Sequence, residues 1–243
     1  MKSATNMGTT THFQALIDLN AWQVFGFEGL ARFEDGRGPL EHIAEARNNG
    51  CINEFELCLI ETAITHTSNI PVDLIVTLNV SADTISSPRL DMLKDNFQGR
   101  VWGLEILETA PRAQCPADIR TRAAALGCTL LIDDAGTGHS DELQIRGLRP
   151  DIVKVDRELF VRSAYDQTAC QKMYSLMSAG RVVGAKLLVE GIETQDQVAR
   201  AMDIGFDYAQ GYYFGAAVAQ DNVTAHLAGL QQRLGITVGN YCQ

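Results

Sequence analysis

The chain is 243 residues long, 46% hydrophobic and 21% charged, enough to bury a sizeable core in one large domain or two small ones. Its 30 acidic against 20 basic side chains leave a formal charge of −10. That balance excludes a generic binder of nucleic-acid polymers, whose affinity comes mainly from Lys and Arg on phosphates, so a phosphate-bearing substrate would need cations from elsewhere, metal ions being the obvious source.

Residues 1–11, MKSATNMGTTT, are polar, lack the apolar stretch of a signal peptide and read as a flexible tail. Beyond them short β-rich runs alternate with helix-length segments. FQALIDL and VFGFEGL come first, joined by only Asn20-Ala21-Trp22-Gln23. No crossover helix fits in so short a link, which predicts a hairpin with one strand antiparallel to the rest. The helical stretch INEFELCLIETAITH leads to the strand LIVTLNV, then VWGLEIL, the helix PADIRTRAAALG and the strand TLLIDDA. IVKVD is followed by the long helical stretch DRELFVRSAYDQTACQKMYSLMSAG, the strand KLLVEGI, the helix TQDQVARAMDIG and the strand DYAQGYY. Several of these helices stop at Gly. The amphipathic AHLAGLQQRLG near the end reads as a barrel-closing helix and not as a membrane anchor. About eight strands fit one (β/α)8, TIM-like barrel over residues 12–238, with 239–243 as a C-terminal tail. An open, doubly wound sheet shares the same alternation.

Six cysteines (Cys51, Cys58, Cys115, Cys128, Cys170 and Cys242) contain no C-x-x-C pair, unlike a secreted disulfide framework or a zinc module. They read as reduced thiols in a cytoplasmic protein. No apolar run approaches the roughly 18 residues of a membrane segment.

The strand ends carry the chemistry. VFGF runs into Glu28, LIVTL into Asn79, VWGL into Glu105 and TLLI into Asp133 and Asp134; Lys154 and Asp156 follow IV, Glu190 follows KLLV and Gln210 follows DYA. In a β/α barrel these ends share one rim. Singly, each has an ordinary explanation: a helix cap, a solvated Glu, a Lys154–Asp156 ion pair. Together, carboxylates confined at one rim cannot all stay ionised unless cations join them. The donors are all oxygens, which suits Mg²⁺, Mn²⁺ or Ca²⁺, and none of His12, His42, His66, His139 and His226 ends an expected strand. In the Asp133–Asp134 pair one carboxylate can bridge two ions while its neighbour holds only the second, the apparatus of phosphodiester hydrolysis. Lys154 can orient the attacking water, or act as base if its pKa is lowered.

The segments GFEGLARF, LNVSA, LEILET, IDDAGTGHS, DIVKVDRELF, LVEGIET and YAQGYYFG, in this order and spacing, resemble the EAL-domain family of cyclic-di-GMP phosphodiesterases. The resemblance implies a barrel with one antiparallel strand and hydrolysis of 3′,5′-cyclic di-GMP to linear 5′-pGpG with two ions, Mg²⁺ or Mn²⁺. By it, Glu28, Asn79, Glu105 and Asp133 would hold the first ion, and Asp133, Asp134 and Glu190 the second. Lys154 would act on the attacking water, with Glu28, Glu190 and Asp134 completing the catalytic set. Glu108 would steady the loop after Asp134. Gln14, Leu30, Arg32, Asn79, Gln210, Glu193 and Tyr212 would meet substrate. A homodimer and coupling to sensory domains are further implications. The chain departs from the family pattern at Gly29 (Glu-Gly-Leu for Glu-Ala-Leu), at Ala15 and Leu16 (for Pro-Ile), and in the loop at Ala135, His139 and Asp141. Two other readings use the same scaffold: a cyclic-di-GMP receptor or protein-interaction module without catalysis, and another Mg²⁺-dependent barrel enzyme.

Overall fold

Alternating apolar and polar residues form the first two strands, β1 (Thr9–Asp18) and β2 (Gln23–Phe33), which pair antiparallel with Gln14 opposite Glu28. Asp18 shapes the turn: its carboxylate accepts from the backbone N–H of Asn20 at 2.8 Å and of Ala21 at 2.9 Å. The computed structural model describes residues 8–97, 99–107, 116–137 and 141–235. Residues 9–11, expected in a flexible tail, are instead strand, because β2 is long enough to pair Thr9, Thr10 and Thr11 with Phe33, Arg32 and Ala31.

Six strands follow: β3 (Ile75–Asn79), β4 (Trp102–Leu107), β5 (Cys128–Ala135), β6 (Ile152–Val155), β7 (Lys186–Val189) and β8 (Tyr208–Ala209). From β2 to β8 each pairs parallel with the next, and β1 closes the ring by pairing antiparallel with both β2 and β8. Closure rules out the open sheet, and the hairpin supplies the one antiparallel strand. A short β9 (Val218–Ala219) pairs with His12 and Phe13 of β1 outside the ring. Two residues leave no periodicity to read, so nothing in the sequence pattern marks it.

Around the ring run α1 (Pro39–Asn48), α2 (Ile52–Thr65), α3 (Ala82–Ser86), α4 (Pro116–Ala125) and α5 (Asp141–Leu148). They continue with α6 (Arg157–Arg162), α7 (Gln167–Val183), α8 (Gln195–Ile204) and α9 (Val223–Arg233). The long helical stretch 156–180 thus divides in two. Asp166 makes the break by capping α7, its side chain accepting from Thr168 N–H and Ala169 N–H while it pairs with Arg162 at 2.7 Å. No described helix is long and apolar enough to cross a membrane.

Strand residues alternate between two cores. Outward-facing Phe27, Val76, Leu104, Ile132, Val153 and Leu187 pack with helix residues such as Ile60, Ile119, Met173 and Leu176. Inward-facing Leu16, Leu131, Ile152 and Leu188 form a separate cluster with Phe25 and Tyr208, whose rings stack with centroids 4.1 Å apart. That cluster plugs the barrel. Gly103 lets the plug close up, since a Cβ there would lie 2.7 Å from Thr77 Cγ2 and 2.8 Å from Leu131 Cδ1. The next inward position toward each strand's carboxyl end stands on the plug. Glu105 follows Gly103 by two residues, Asp133 follows Leu131, Lys154 follows Ile152 and Glu190 follows Leu188. On β1, which runs the other way, Gln14 precedes Leu16 by two. The period of a strand therefore delivers the polar ring.

Candidate metal and active site

At the centre of the ring stands Lys154, fully buried. Its ammonium lies 2.6 Å from Glu105 Oε2, 2.6 Å from Asp133 Oδ1, 2.9 Å from Glu190 Oε1 and 3.4 Å from Glu28 Oε2. The alternative pairing with Asp156 does not occur, because Asp156 instead caps α6 by accepting from Leu159 N–H. Glu28 is held from two more sides. Asn79 Nδ2 donates to its Oε1 at 2.9 Å and Gln210 Nε2 to its Oε2 at 2.6 Å. Gln210 Nε2 also donates to Gln14 Oε1 at 3.1 Å.

Asp133 and Asp134 reach the same centre because the β5–β6 register slips. Ile132 pairs with Val153 and Ala135 with Val155, so two aspartates oppose Lys154 alone. This β-bulge turns consecutive side chains toward one site, which an unbroken strand would send to opposite faces. The cost is visible at Asp134, whose φ of 53° lies in the left-handed region. Gly136 continues the turn at φ 119°, packed so closely on Leu159 that a Cβ would lie 2.5 Å from its Cδ2.

The site carries five carboxylates around one ammonium. Burial, and then the neighbouring Glu28 charge, push Glu105 up to about 8 against the pull of Lys154. Burial and Asp133 push Asp134 up to about 6. Burial raises Asp133 and Glu190 as well, with Lys154 opposing it. Glu28 is the exception: burial raises it, but Lys154, Gln210 and Asn79 together hold it below the ordinary carboxylate value. Burial would lower Lys154, yet Asp133, Glu105, Glu190 and Glu28 keep it well above its usual value, so it is an ammonium.

One oxygen each from Glu28, Glu105 and Asp133, and one each from Asp133, Asp134 and Glu190, lie within 4.8 Å of one another. The two triads share Asp133. Glu105 Oε1 is buried with no hydrogen-bond partner. An orphaned carboxylate oxygen, surplus negative charge and an all-oxygen donor set fit hard divalent cations.

A cavity of about 300 Å³ opens beside the centre, with Glu28, Asn79 and Asp133 on one side and Leu30, Ile43 and Leu78 on its apolar wall. Other expected site residues fall elsewhere. Arg32 donates to Ala31 O at 3.0 Å, Glu193 pairs with Arg157 at 2.8 Å on the rim, and Tyr212 is 71% exposed. None of these three joins the triads. Glu108 and His139 lie outside the described residues, and Asp141 is described only as the first residue of α5. Sequence reasoning missed Glu56, a buried carboxylate on α2 that lines the cavity and accepts from Ser81 N–H at 2.9 Å and Ser81 Oγ–H at 2.7 Å. A charged residue within the apolar stretch INEFELCLIETAITH was the available signal. α1, which brings Ile43 and Arg47 to the cavity, buries only His42 and Ala46 and leaves no clear stripe to read.

A closed β/α barrel whose carboxyl rim gathers overlapping carboxylate triads around a buried lysine defines an acidic, oxygen-donor centre of the kind that binds divalent ions. The model of the EAL domain matches residues 2–217, and the chain belongs to that family. It is 31% identical to the uncharacterized protein y4lL of Sinorhizobium fredii, over 88% of this chain and 27% of y4lL. It is 26% identical to MucR of Pseudomonas aeruginosa, named a bifunctional diguanylate cyclase/cyclic di-GMP phosphodiesterase, over 89% of this chain and 34% of MucR. Among solved structures it resembles BlrP1 of Klebsiella pneumoniae in a manganese/cy-diGMP complex, with a TM-score of 0.76, 22% identity, and 90% of this chain and 58% of that one covered. The chain spans between a quarter and about a third of the length of y4lL, of MucR and of an uncharacterized protein of Azorhizobium caulinodans that it also matches.

Proposed function

We propose that the chain is a phosphodiesterase that hydrolyses 3′,5′-cyclic di-GMP to linear 5′-pGpG using two divalent ions, Mg²⁺ or Mn²⁺. The observation that carries this reading is the pair of carboxylate triads sharing Asp133 around Lys154, beside a cavity. Family membership and the names of relatives such as MucR supply the substrate. Glu28, Asn79, Glu105 and Asp133 would hold one ion, and Asp133, Asp134 and Glu190 the other. Bound there, such ions activate water and stabilise charge on the displaced oxygens.

The chain's own groups do the rest. The Lys154 charge, with Gln210 and Asn79, keeps Glu28 ionised, and the two amides fix its orientation. Lys154, an ammonium among the surrounding carboxylates in the metal-free chain, would donate from Nζ to orient the attacking water. Leu30 and the apolar wall receive the ligand's bases, Gln14, Arg32, Glu193 and Tyr212 are the outer contacts, and Glu108 steadies the loop after Asp134. A homodimer, coupling to sensory domains and a cytoplasmic location belong to the same proposal.

The test is incubation with cyclic di-GMP and Mg²⁺ or Mn²⁺, with and without EDTA. Metal-dependent appearance of pGpG supports the proposal; binding without turnover points to a receptor instead. Lys154→Met should lower kcat far more than it weakens substrate binding. Retained turnover in that variant would remove Lys154 from the chemistry.

A further inference from the structure

Two helices wall the cavity beside the triads, and each turns one face to it. α1 contributes Leu40, Ile43 and Arg47, and α2 contributes Glu56, Ile60 and Ala63. Steps of three and four residues place each set on a single helix face. α1 ends at Asn48 and α2 starts at Ile52, so Arg47 stands at the end where the two helices join. On α1 it lies about one turn past Ile43 and continues the apolar wall.

Among the described residues Arg47 is also the one basic side chain on the cavity, against the carboxylates of Glu28, Glu56, Asp83 and Asp133. Glu28 is held by Asn79 and Gln210, Glu56 by Ser81 and Asp133 by Lys154. The Arg47 guanidinium, by contrast, forms no hydrogen bond or ion pair among the described residues. Elsewhere the chain uses such a fork fully: Arg120 donates to both carboxylate oxygens of Asp151. A guanidinium has N–H donors and no acceptor, in a plane that suits two adjacent acceptors. Guanine offers that pair at O6 and N7, whereas adenine puts an amino donor where O6 stands. A base laid against Leu30 and Ile43 would thus meet, at Arg47, a group that welcomes guanine and repels adenine.

We propose that Arg47 is a specificity-determining residue, whose fork donates to O6 and N7 of a guanine laid on the apolar wall of this cavity. The proposal rests on the reading that cyclic di-GMP is the substrate. It adds a contact to those already named and displaces none of them. A phosphate accepts from an arginine too, so the test must tell a base edge from a phosphate oxygen.

The experiment is a thermodynamic cycle that crosses Arg47→Met with an analogue of cyclic di-GMP in which each N7 is replaced by C–H. Both ligands are measured with parent and variant in MnCl₂, by calorimetric binding and, where there is turnover, by kcat/KM. A bidentate arginine contact to guanine discriminates strongly, so Arg47→Met should weaken the handling of cyclic di-GMP by roughly tenfold to a hundredfold. The analogue should cost the parent roughly tenfold, and the variant should treat the two ligands alike. Arg47 is exposed, so the variant should keep the parent's melting temperature. The same penalty for the analogue in parent and variant would overturn the proposal, and with weakened binding it would make Arg47 a phosphate contact. No change on Arg47→Met would overturn it as well. A parent that binds cyclic di-GMP without cleaving it would sink the hydrolase reading while the binding cycle still judges Arg47. A parent with no affinity for cyclic di-GMP would overturn both.

Discussion

The two carboxylate triads are made of the same chemistry by different means. Glu28, Glu105 and Asp133 occupy regular inward positions above the plug and are all buried, with Asn79 and Gln210 steadying Glu28. Asp134 and Glu190 are more open to solvent, and Asp134 reaches the centre only through a bulge and a left-handed φ of 53°. The first triad therefore follows from strand period alone, whereas the second requires a local break in pairing held by the surrounding barrel. A ligand set on regular strands is rigid before any ion arrives. One that depends on a strained bulge is the easier to loosen.

Substitutions at adjacent aspartates sharpen this contrast most. Asp133→Ala removes the carboxylate common to both triads. Charge stabilisation by metal ions is worth several kcal/mol, so turnover should fall by roughly three orders of magnitude or more, with both Mn²⁺ sites lost in titration. Asp134→Ala leaves the first triad whole, and one Mn²⁺ site should survive. Equal loss of both sites in the two variants would show that the triads are not separable.

Acidity offers a smaller test of the crowding. Glu105, raised from 4.5 to about 8, binds a proton in the metal-free folded chain that the unfolded chain has already released. The stability it contributes is complete below pH 4.5 and is lost as pH climbs toward about 8, on the order of 1 kcal/mol per pH unit. Asp134 acts in the same direction between 3.8 and about 6. Glu28, held low, works the opposite way at more acidic pH. Urea unfolding in EDTA should accordingly show a lower midpoint at about pH 8 than at about pH 5, and Mn²⁺ should narrow the gap. A midpoint that rises with pH would contradict the crowding.

The smallest effect is expected at Gly29, on β2 beside Glu28. A Cβ there would lie 2.8 Å from Leu78 Cδ2 and 3.4 Å from Thr77 O. The terminal methyl of Leu78 can turn aside, and alanine suits a strand better than glycine, so Gly29→Ala should change stability by less than about 1 kcal/mol. Thermal unfolding and Mn²⁺ titration of the variant would check this. A large loss would mean that Leu78 is locked in place beneath the cavity.

Much of the site was legible because strands have a period of two and barrels have one active rim. Glu28, Glu105, Asp133, Lys154 and Glu190 stand at the ends of apolar runs, and they converge as expected. Arg32, Glu193 and Tyr212, expected at the substrate and not among the ion-holding groups, stand outside that centre, where side chains find local partners or solvent. Glu56, marked only as one charge within an apolar stretch, was missed for a different reason. Its value comes from Ser81, which is distant in sequence and adjacent only after α2 and α3 pack.

The sequence by itself determined the alternation of strands and helices, the hairpin and the acidic strand ends, because periodicity and apolar runs are local properties of the chain. Tertiary structure alone decided that Lys154 serves four carboxylates and not Asp156, that β5 bulges so two successive aspartates share one site, and that Gln14 and Gln210 meet beside Glu28. Each of these depends on which distant groups share a low-dielectric interior, and no spacing along a chain records that.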